Sequence, residues 1–225
     1  DYFLERLAHS TEKIALKWPC QPGELLEILA ALVRCHTRVE GYLYLQITRG
    51  VADRDFPYPK GVEPTLMAYV TARPILDNPH AEKGVAVVTT ADLRWKRRDI
   101  KSLNLLAQCM AKQQATAKGA FEAWMTEDGF VPEGGSSSAV IVKDQTLITR
   151  PLSNSILPGI RRRVILELSE SENLRVELRP FTVDEALAAD EAFLSSATTL
   201  VLPIVSIDGH QVGDGKPGPI TRRVR

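Results

Sequence analysis

This sequence has few cysteines, no surplus charge and no long apolar run. Its three cysteines, Cys20, Cys35 and Cys109, are scattered through 225 residues without a C-x-x-C spacing. That argues against a disulfide framework and against a zinc knuckle. Neither sign of charge dominates, with 28 Lys+Arg against 28 Asp+Glu, which disfavours a protein whose main business is coating nucleic acid or an anionic membrane. No apolar stretch approaches the ~20 residues a membrane span needs, and no signal-peptide pattern opens the chain. Four histidines, His9, His36, His80 and His210, lie far apart without metal-ligand spacing. No Walker-type loop, G-x-S-x-G elbow or G-x-G-x-x-G turn is present. Metal hydrolysis and Ser-His-Asp catalysis therefore have no sequence support, and no metal is expected. A soluble, cytoplasmic protein with no nucleic-acid and no membrane partner is the expectation.

What is present is ordinary globular material, 44% hydrophobic and 25% charged, enough for one large domain or two modest ones. Residues 1–10 carry no initiator methionine and already read as the inside of an amphipathic helix, with Phe3, Leu4, Leu7, Ala8 and Ile14 at helical intervals. A preceding segment is expected. A second helix is predicted from Pro22 to about 36, with Leu25, Leu26, Leu29, Leu32 and Val33 on one stripe. The period then changes to β at 42–48 and again at 66–71, around a loop containing Pro57, Pro59 and Pro64. Residues 72–83, with Pro74 and Pro79 and no clear period, are the expected linker.

Beyond it the reading gives a strand at 84–90 and a helix over 102–118. A small meander follows over 120–151, with turns at Asp128-Gly129 and Asp144-Gln145. A helix over 159–170 comes next, then a capping box at Thr182-x-x-Glu185 and strands near 192–195 and 201–207. Helices and strands are mixed rather than strictly alternating, so the predicted class is α+β.

Three segments could carry chemistry. The run from Leu93 to Asn104 crowds Lys96, Arg97, Arg98 and Lys101 ahead of a helix. Neighbouring cations and burial favour a neutral amine, as a Schiff-base lysine requires. Charge alone, however, favours a solvated basic turn or a nucleic-acid patch. Leu157-Pro-Gly-Ile-Arg161 puts a glycine at a helix start, where free N–H groups can hold a phosphate, and Ser195–Thr199 adds hydroxyls. Taken singly, each is more often a turn. Glu133 leads into the small-residue loop Gly134-Gly-Ser-Ser-Ser138 and by itself reads as an exposed carboxylate.

Their order along the chain is more specific. Asp99-Ile-Lys-Ser-Leu-Asn104, Glu133-Gly-Gly-Ser-Ser-Ser138, Leu157-Pro-Gly-Ile160 and Phe193-Leu-Ser-Ser-Ala-Thr198 together resemble the class IV (fold-type IV) pyridoxal-phosphate aminotransferases. Within that family the likeness is to enzymes acting on D-amino acids, and it covers essentially the whole chain, including Glu5-Arg6-Leu7 and Gln46-Ile-Thr-Arg-Gly50. The resemblance implies a two-domain α+β architecture. A small N-terminal α/β domain (1–71, without its opening strands) would be joined by the linker 72–83 to a larger β-rich pseudo-barrel (84–225) that binds pyridoxal 5'-phosphate.

It also implies roles. Lys101 would form the Schiff base with the cofactor and shuttle the proton at the substrate Cα. Glu133 would bond the pyridine nitrogen, keeping it protonated so that the ring accepts electron density. Leu157 would pack on the ring. Arg6, the backbone N–H groups of Ile160 and Arg161, and Ser196 with Ala197 would surround the phosphate. Arg54 would grip the substrate carboxylate, with Ser137 and Thr198 at the substrate pocket. A homodimer is implied, with amino acids and 2-oxo acids as substrates.

This chain departs from the family pattern at four positions. Phe56 stands where the carboxylate trap has a histidine, Arg161 replaces a threonine, Ala197 replaces a hydroxyl residue and Ser138 an asparagine. Branched-chain L-aminotransferase, (R)-amine transaminase and aminodeoxychorismate lyase share the fold and stay open as alternatives, as does a non-enzymatic binding module using residues 96–98.

Overall fold

The β-branched and aromatic residues at 42–48 and 66–71 form an antiparallel ladder. The structure, a computed structural model, describes residues 1–36 and 40–225. In it β1 (Gly41–Thr48) pairs with β2 (Thr65–Ala72) from Gly41↔Ala72 to Thr48↔Thr65. Tyr44 and Tyr69 face each other across the pair, stacked at 5.0 Å. Ahead of the ladder lie α1 (Tyr2–Lys13), whose N-cap Asp1 accepts from the Phe3 N–H, and α2 (Pro22–Arg34). Proline opens α2 where its missing N–H has no helical partner to lose, and Leu25 and Leu29 are its buried face. These elements belong to a unit spanning Asp1–Ile75, and Leu76–Arg225 form a second.

The loop between β1 and β2 starts at Gly50, with φ +104°, where a Cβ would lie 2.1 Å from the Glu63 carbonyl oxygen. Only glycine fits there. Arg49 braces this loop. Its guanidinium donates to the carbonyls of Ile14 and Ala15 and lies 3.5 Å over the Tyr58 ring.

The second unit opens with the one-turn α3 (His80–Lys83), inside the interval read as linker. Next come β3 (Val85–Ala91), α4 (Leu106–Ala117), β4 (Glu122–Thr126), β5 (Ser138–Lys143) and β6 (Thr146–Thr149). The remainder is α5 (Ile160–Ser171), β7 (Arg175–Leu178), α6 (Val183–Leu187), β8 (Glu191–Ser196), β9 (Leu200–Ile207), β10 (His210–Gln211) and α7 (Pro219–Val224). One mixed sheet runs β4-β3-β9-β8-β5-β6-β7, with β10 beside β9. Strand alternation distributes its apolar residues between its two faces. Ile141 and Leu194 join Trp124, Phe181 and Leu202 on one face. Their neighbours Val140, Val142 and Phe193 meet Leu147, Ile165 and Ile220 on the other, against α5 and α7.

Two expectations are corrected. The helix predicted from residue 102 starts at Leu106, because the Ser102 hydroxyl accepts the Asn104 N–H in a local turn instead of capping the helix. The predicted meander is a hairpin only at β5–β6. The ladder partner of β4 is β3, in parallel. The turn at Asp128-Gly129 exists, but residues after it return along β4 through isolated bridges, Glu127↔Phe130 and Trp124↔Gly134. Pro132 cannot donate to a ladder and Gly134-Gly135 has no side chains to pack, so this return forms a loop. It carries Glu133.

Candidate active site

The return along β4 fixes the Glu133 backbone. Its carbonyl accepts from Met125 N–H at 3.1 Å, Gly134 N–H donates to the Ser137 carbonyl at 2.8 Å, and Gly135 N–H to Ala123 at 2.9 Å. Gly134 is needed in this tight return, since a Cβ there would lie 2.5 Å from Ser137 Oγ. Beneath the loop, Glu122, 1% exposed, accepts from Ser136 Oγ at 2.7 Å, Ser137 Oγ at 3.1 Å and Ser136 N–H at 3.2 Å. The three-serine run is thus organised by a buried carboxylate. Ser137, expected at the substrate pocket, is itself buried with its hydroxyl given to Glu122.

Glu133 is buried rather than exposed. The Leu157 N–H reaches both of its carboxylate oxygens at 3.2 Å, and Arg94 Nη1 donates to Oε1. Burial pushes this carboxyl up, to about 7, against the downward pull of the Arg94 guanidinium and the Leu157 N–H. Burial opposes the Arg94 cation as well, yet its bonds to Asp92 and the charges of Glu133 and Asp92 keep its pKa above the ordinary value.

Lys101 is exposed on the segment between β3 and α4, directly after the buried Arg98, Asp99 and Ile100. Arg98 N–H donates to the Asn154 carbonyl at 2.9 Å. The segment bearing Lys101 and the residue Leu157 that contacts Glu133 are therefore tied to one loop, residues 150–159. That loop leads into α5. Gly159, its N-cap residue, supplies no side-chain hydrogen bond, and the first turn contains no acidic residue. Arg162 is 4% exposed there; burial lowers its pKa while Glu133 attracts its charge. Its Nη2 donates to the Arg150 carbonyl at 2.7 Å, but its buried Nε has no hydrogen-bond partner among the described residues.

The β5–β8 ladder brings the remaining hydroxyls to this end of the sheet. Ser138 pairs with Ser195, and a Cβ on Gly159 would lie 3.0 Å from Ser138 Oγ. Ser195 Oγ is buried without a hydrogen-bond partner among the described residues. Ser196 Oγ lies 2.8 Å from Thr199 Oγ1 and accepts the Thr199 N–H at 3.2 Å, which closes the turn through exposed Ala197 and half-buried Thr198. Glu133, Leu157, Ile160, Arg161 and Ser196 thus share one end of the second unit. Arg6 and Arg54 belong to the first. Arg6 is half-buried on α1, where burial lowers its pKa. Arg54 is exposed in the β1–β2 loop, with its guanidinium carbon 5.6 Å from the Phe56 ring centre.

Sequence reasoning missed Asp92, Arg94, Glu122 and Arg162. Asp92-x-Arg94 spacing could have suggested a pair, but the bond from Arg94 to Glu133 spans 39 positions and leaves no local signature. Among the described residues, no group of three or more His, Cys, Asp or Glu is placed to hold a metal ion. None of the described helices is long and apolar enough to cross a membrane. A buried carboxylate thus lies beside a helix start without a side-chain cap, and a lysine stands exposed on a braced loop.

Residues 1–207 match the family model for amino-transferase class IV. The chain belongs to the class IV aminotransferases. This class IV enzyme is 41% identical to the D-alanine aminotransferase of Bacillus licheniformis over 227 residues, covering 100% of this chain and 79% of that protein. It is 42% identical to the D-alanine aminotransferase of Staphylococcus aureus strain MSSA476 over 225 residues, 98% of this chain and 78% of that one. Among solved structures, the Escherichia coli branched-chain amino acid aminotransferase superposes with a TM-score of 0.90 at 25% identity, covering 98% of this chain and 75% of that one. The branched-chain amino acid aminotransferase of Thermobaculum terrenum, in its PLP-bound holo form, gives 0.84 at 27% identity, covering 98% and 73%. The aminotransferase therefore has the α+β, fold-type IV architecture.

Proposed function

We propose that this class IV aminotransferase binds pyridoxal 5'-phosphate and moves an amino group between D-amino acids, such as D-alanine, and 2-oxo acids by a ping-pong double displacement. The observation that carries the reading is Glu133, buried beside the start of α5, which has no side-chain cap. Its carboxyl is tuned to about 7, in the range where it can share a proton with a pyridine nitrogen. The residues present fit the cofactor. An amine, a buried carboxylate and a helix start rich in arginine match its aldehyde, ring nitrogen and phosphate. When bound, the cofactor supplies an electron sink for the pair left at the substrate Cα.

This chain's residues supply the rest. Lys101 would hold the cofactor and, as a free amine, take the proton from the substrate Cα. Glu133 would hold a proton at the ring nitrogen. Leu157, anchored through its N–H, would pack against the ring. The N–H groups of Ile160 and Arg161, the Ser196 turn with Ala197, and Arg6 would surround the phosphate. Arg54 would hold the substrate carboxylate, with Thr198 and Ser137 near the pocket.

A homodimer fits the exposed apolar run after Lys101, where Leu103, Leu105, Leu106 and Met110 are 57%, 45%, 73% and 46% exposed. Free Cys20, Cys35 and Cys109 suit a reducing cytoplasm. A second reading, branched-chain L-aminotransferase, is favoured by the structural likeness at a TM-score of 0.90. Identities of 41% and 42% to D-alanine aminotransferases weigh the other way. The test is a chiral assay of the PLP-loaded protein with 2-oxoglutarate. Turnover of D-alanine but not L-leucine or L-valine is expected, and preference for either L-donor would overturn the D-specific reading.

A further inference from the structure

Six side chains run in series from solvent to the buried Glu133 carboxylate. Lys96, 81% exposed, pairs with Glu127. Glu127 accepts from Arg98 at 2.6 and 3.2 Å, and Arg98 Nη1 lies 3.5 Å from Asp92. Asp92 accepts from Arg94 at 2.9 and 2.7 Å, and Arg94 donates to Glu133. The side chains of Arg98 and Asp92 are 1% and 0% exposed. Charges at that depth persist only when paired. Among the described residues Arg98 Nε is buried without a hydrogen-bond partner, and the two terminal nitrogens meet carboxylates.

The signs alternate along the series. Asp92 lies between two cations, and Arg94 between two carboxylates. How far Asp92 is neutralised from the Arg98 side therefore decides how much of the Arg94 charge is left for Glu133. We propose that Arg98 and Asp92 are positioning residues for Glu133: Arg98 neutralises Asp92, which leaves Arg94 to hold Glu133 in place and in its charged form. Neither residue contacts a ligand in this scheme. Arg98 has a second hold on the site, because its backbone N–H on Asn154 ties the segment ending at Lys101 to the loop bearing Leu157.

The other groups acting on Glu133 are few. The Leu157 N–H and Arg94 pull its pKa down while Asp92 pushes it up, and Arg162 from α5 is attracted to it. Asp92 is the one anion in this set. Removing Asp92 and removing Arg98 must therefore act on Glu133 in opposite directions, which loss of packing alone would not do.

The consequence for catalysis rests on the role proposed for Glu133, but the measurement does not. Apoprotein labelled with 13C at glutamate carboxyls is titrated by isotope-edited infrared spectroscopy, the Glu133 band being identified by its loss in Glu133→Gln. Arg98→Met, which leaves Asp92 with Arg94 and Glu127 with Lys96, should raise the Glu133 midpoint by about one pH unit, a tenfold change in proton affinity. Asp92→Asn should lower it by a similar amount, and Arg98→Lys should return it most of the way to wild type. Midpoints that stay put, or that move the same way in both variants while far-UV circular dichroism is unchanged, would overturn the proposal. If Arg98→Met fails to fold, an unmoved midpoint in Asp92→Asn overturns it alone. Opposite shifts in a protein that never takes up PLP would leave the relay standing and remove the enzymatic reading instead.

Discussion

Two arginine-rich stretches flank Glu133, and they are balanced in opposite ways. Between β3 and α4, each cation of the run 94–98 meets a carboxylate: Arg94 and Arg98 meet Asp92, Lys96 and Arg98 meet Glu127, and Arg97 meets Asp99. At the start of α5, Arg161, Arg162 and Arg163 crowd a first turn that has no acidic residue, and the helix macrodipole adds further positive potential. Arg163 finds Glu167, Arg162 donates to the Arg150 carbonyl, and the N-cap glycine makes no side-chain hydrogen bond. A charge-balanced cluster is a scaffold, complete without a ligand. A cluster with surplus cations at a helix start would suit an anion.

Breaking the balanced stretch should have the largest effect. Arg94→Met leaves Glu133 and Asp92 buried with one cation fewer, and urea unfolding of the apoprotein should show a loss of about 3–5 kcal/mol. A loss within experimental error would mean that the cluster is not a scaffold. The two carboxylates at its ends should also oppose each other in pH dependence. Glu133 stands near 7 in the folded chain because burial raises it. Between its ordinary value of 4.5 and about 7, the folded protein therefore holds a proton that the unfolded chain has released. Stability should fall as pH rises through this window, and Glu133→Gln should remove that slope. Glu127 is held at about 2 by its hydrogen bonds with Arg98 and Lys96. Its contribution is complete above ~4.5 and is lost as pH falls toward 2.

The unbalanced stretch predicts a smaller effect, read with a ligand. Inorganic phosphate should raise the melting temperature of the apoprotein, and Arg161→Ala should weaken phosphate binding roughly tenfold through loss of one charge-assisted contact. Equal binding by wild type and variant would show that the backbone N–H groups act without the guanidinium. Lys96→Ala, at the solvent end of the balanced stretch, should leave the urea midpoint unchanged.

How much of this could be read from the sequence follows from the range of each interaction. The capping box Thr182–Glu185 is present in both directions, and the Asp144-Gln145 turn has φ +47° and +59°, as the local residue chemistry predicted. The helix expected over 159–170 is present as Ile160–Ser171, with Ile165 on its buried face. The edge strand β7 has no signature in the sequence, since Arg-Val-Glu-Leu is too short to show a period. In the site, the motifs around Lys101, Glu133 and Gly159 were visible as short runs. The links between them were not, because Arg94–Glu133 and Leu157–Glu133 join residues 39 and 24 positions apart. Glu122 likewise gave no signal, as a carboxylate within a strand shows its worth only once three serine-run groups converge on it.

The most direct test of the central claim is a visible absorption spectrum of the purified protein supplied with pyridoxal 5'-phosphate. A coloured, stoichiometric complex is expected, one that D-alanine bleaches and L-alanine does not, and whose colour Lys101→Ala abolishes while the fold is retained. A colourless wild-type protein, or a band that survives in Lys101→Ala, would contradict it.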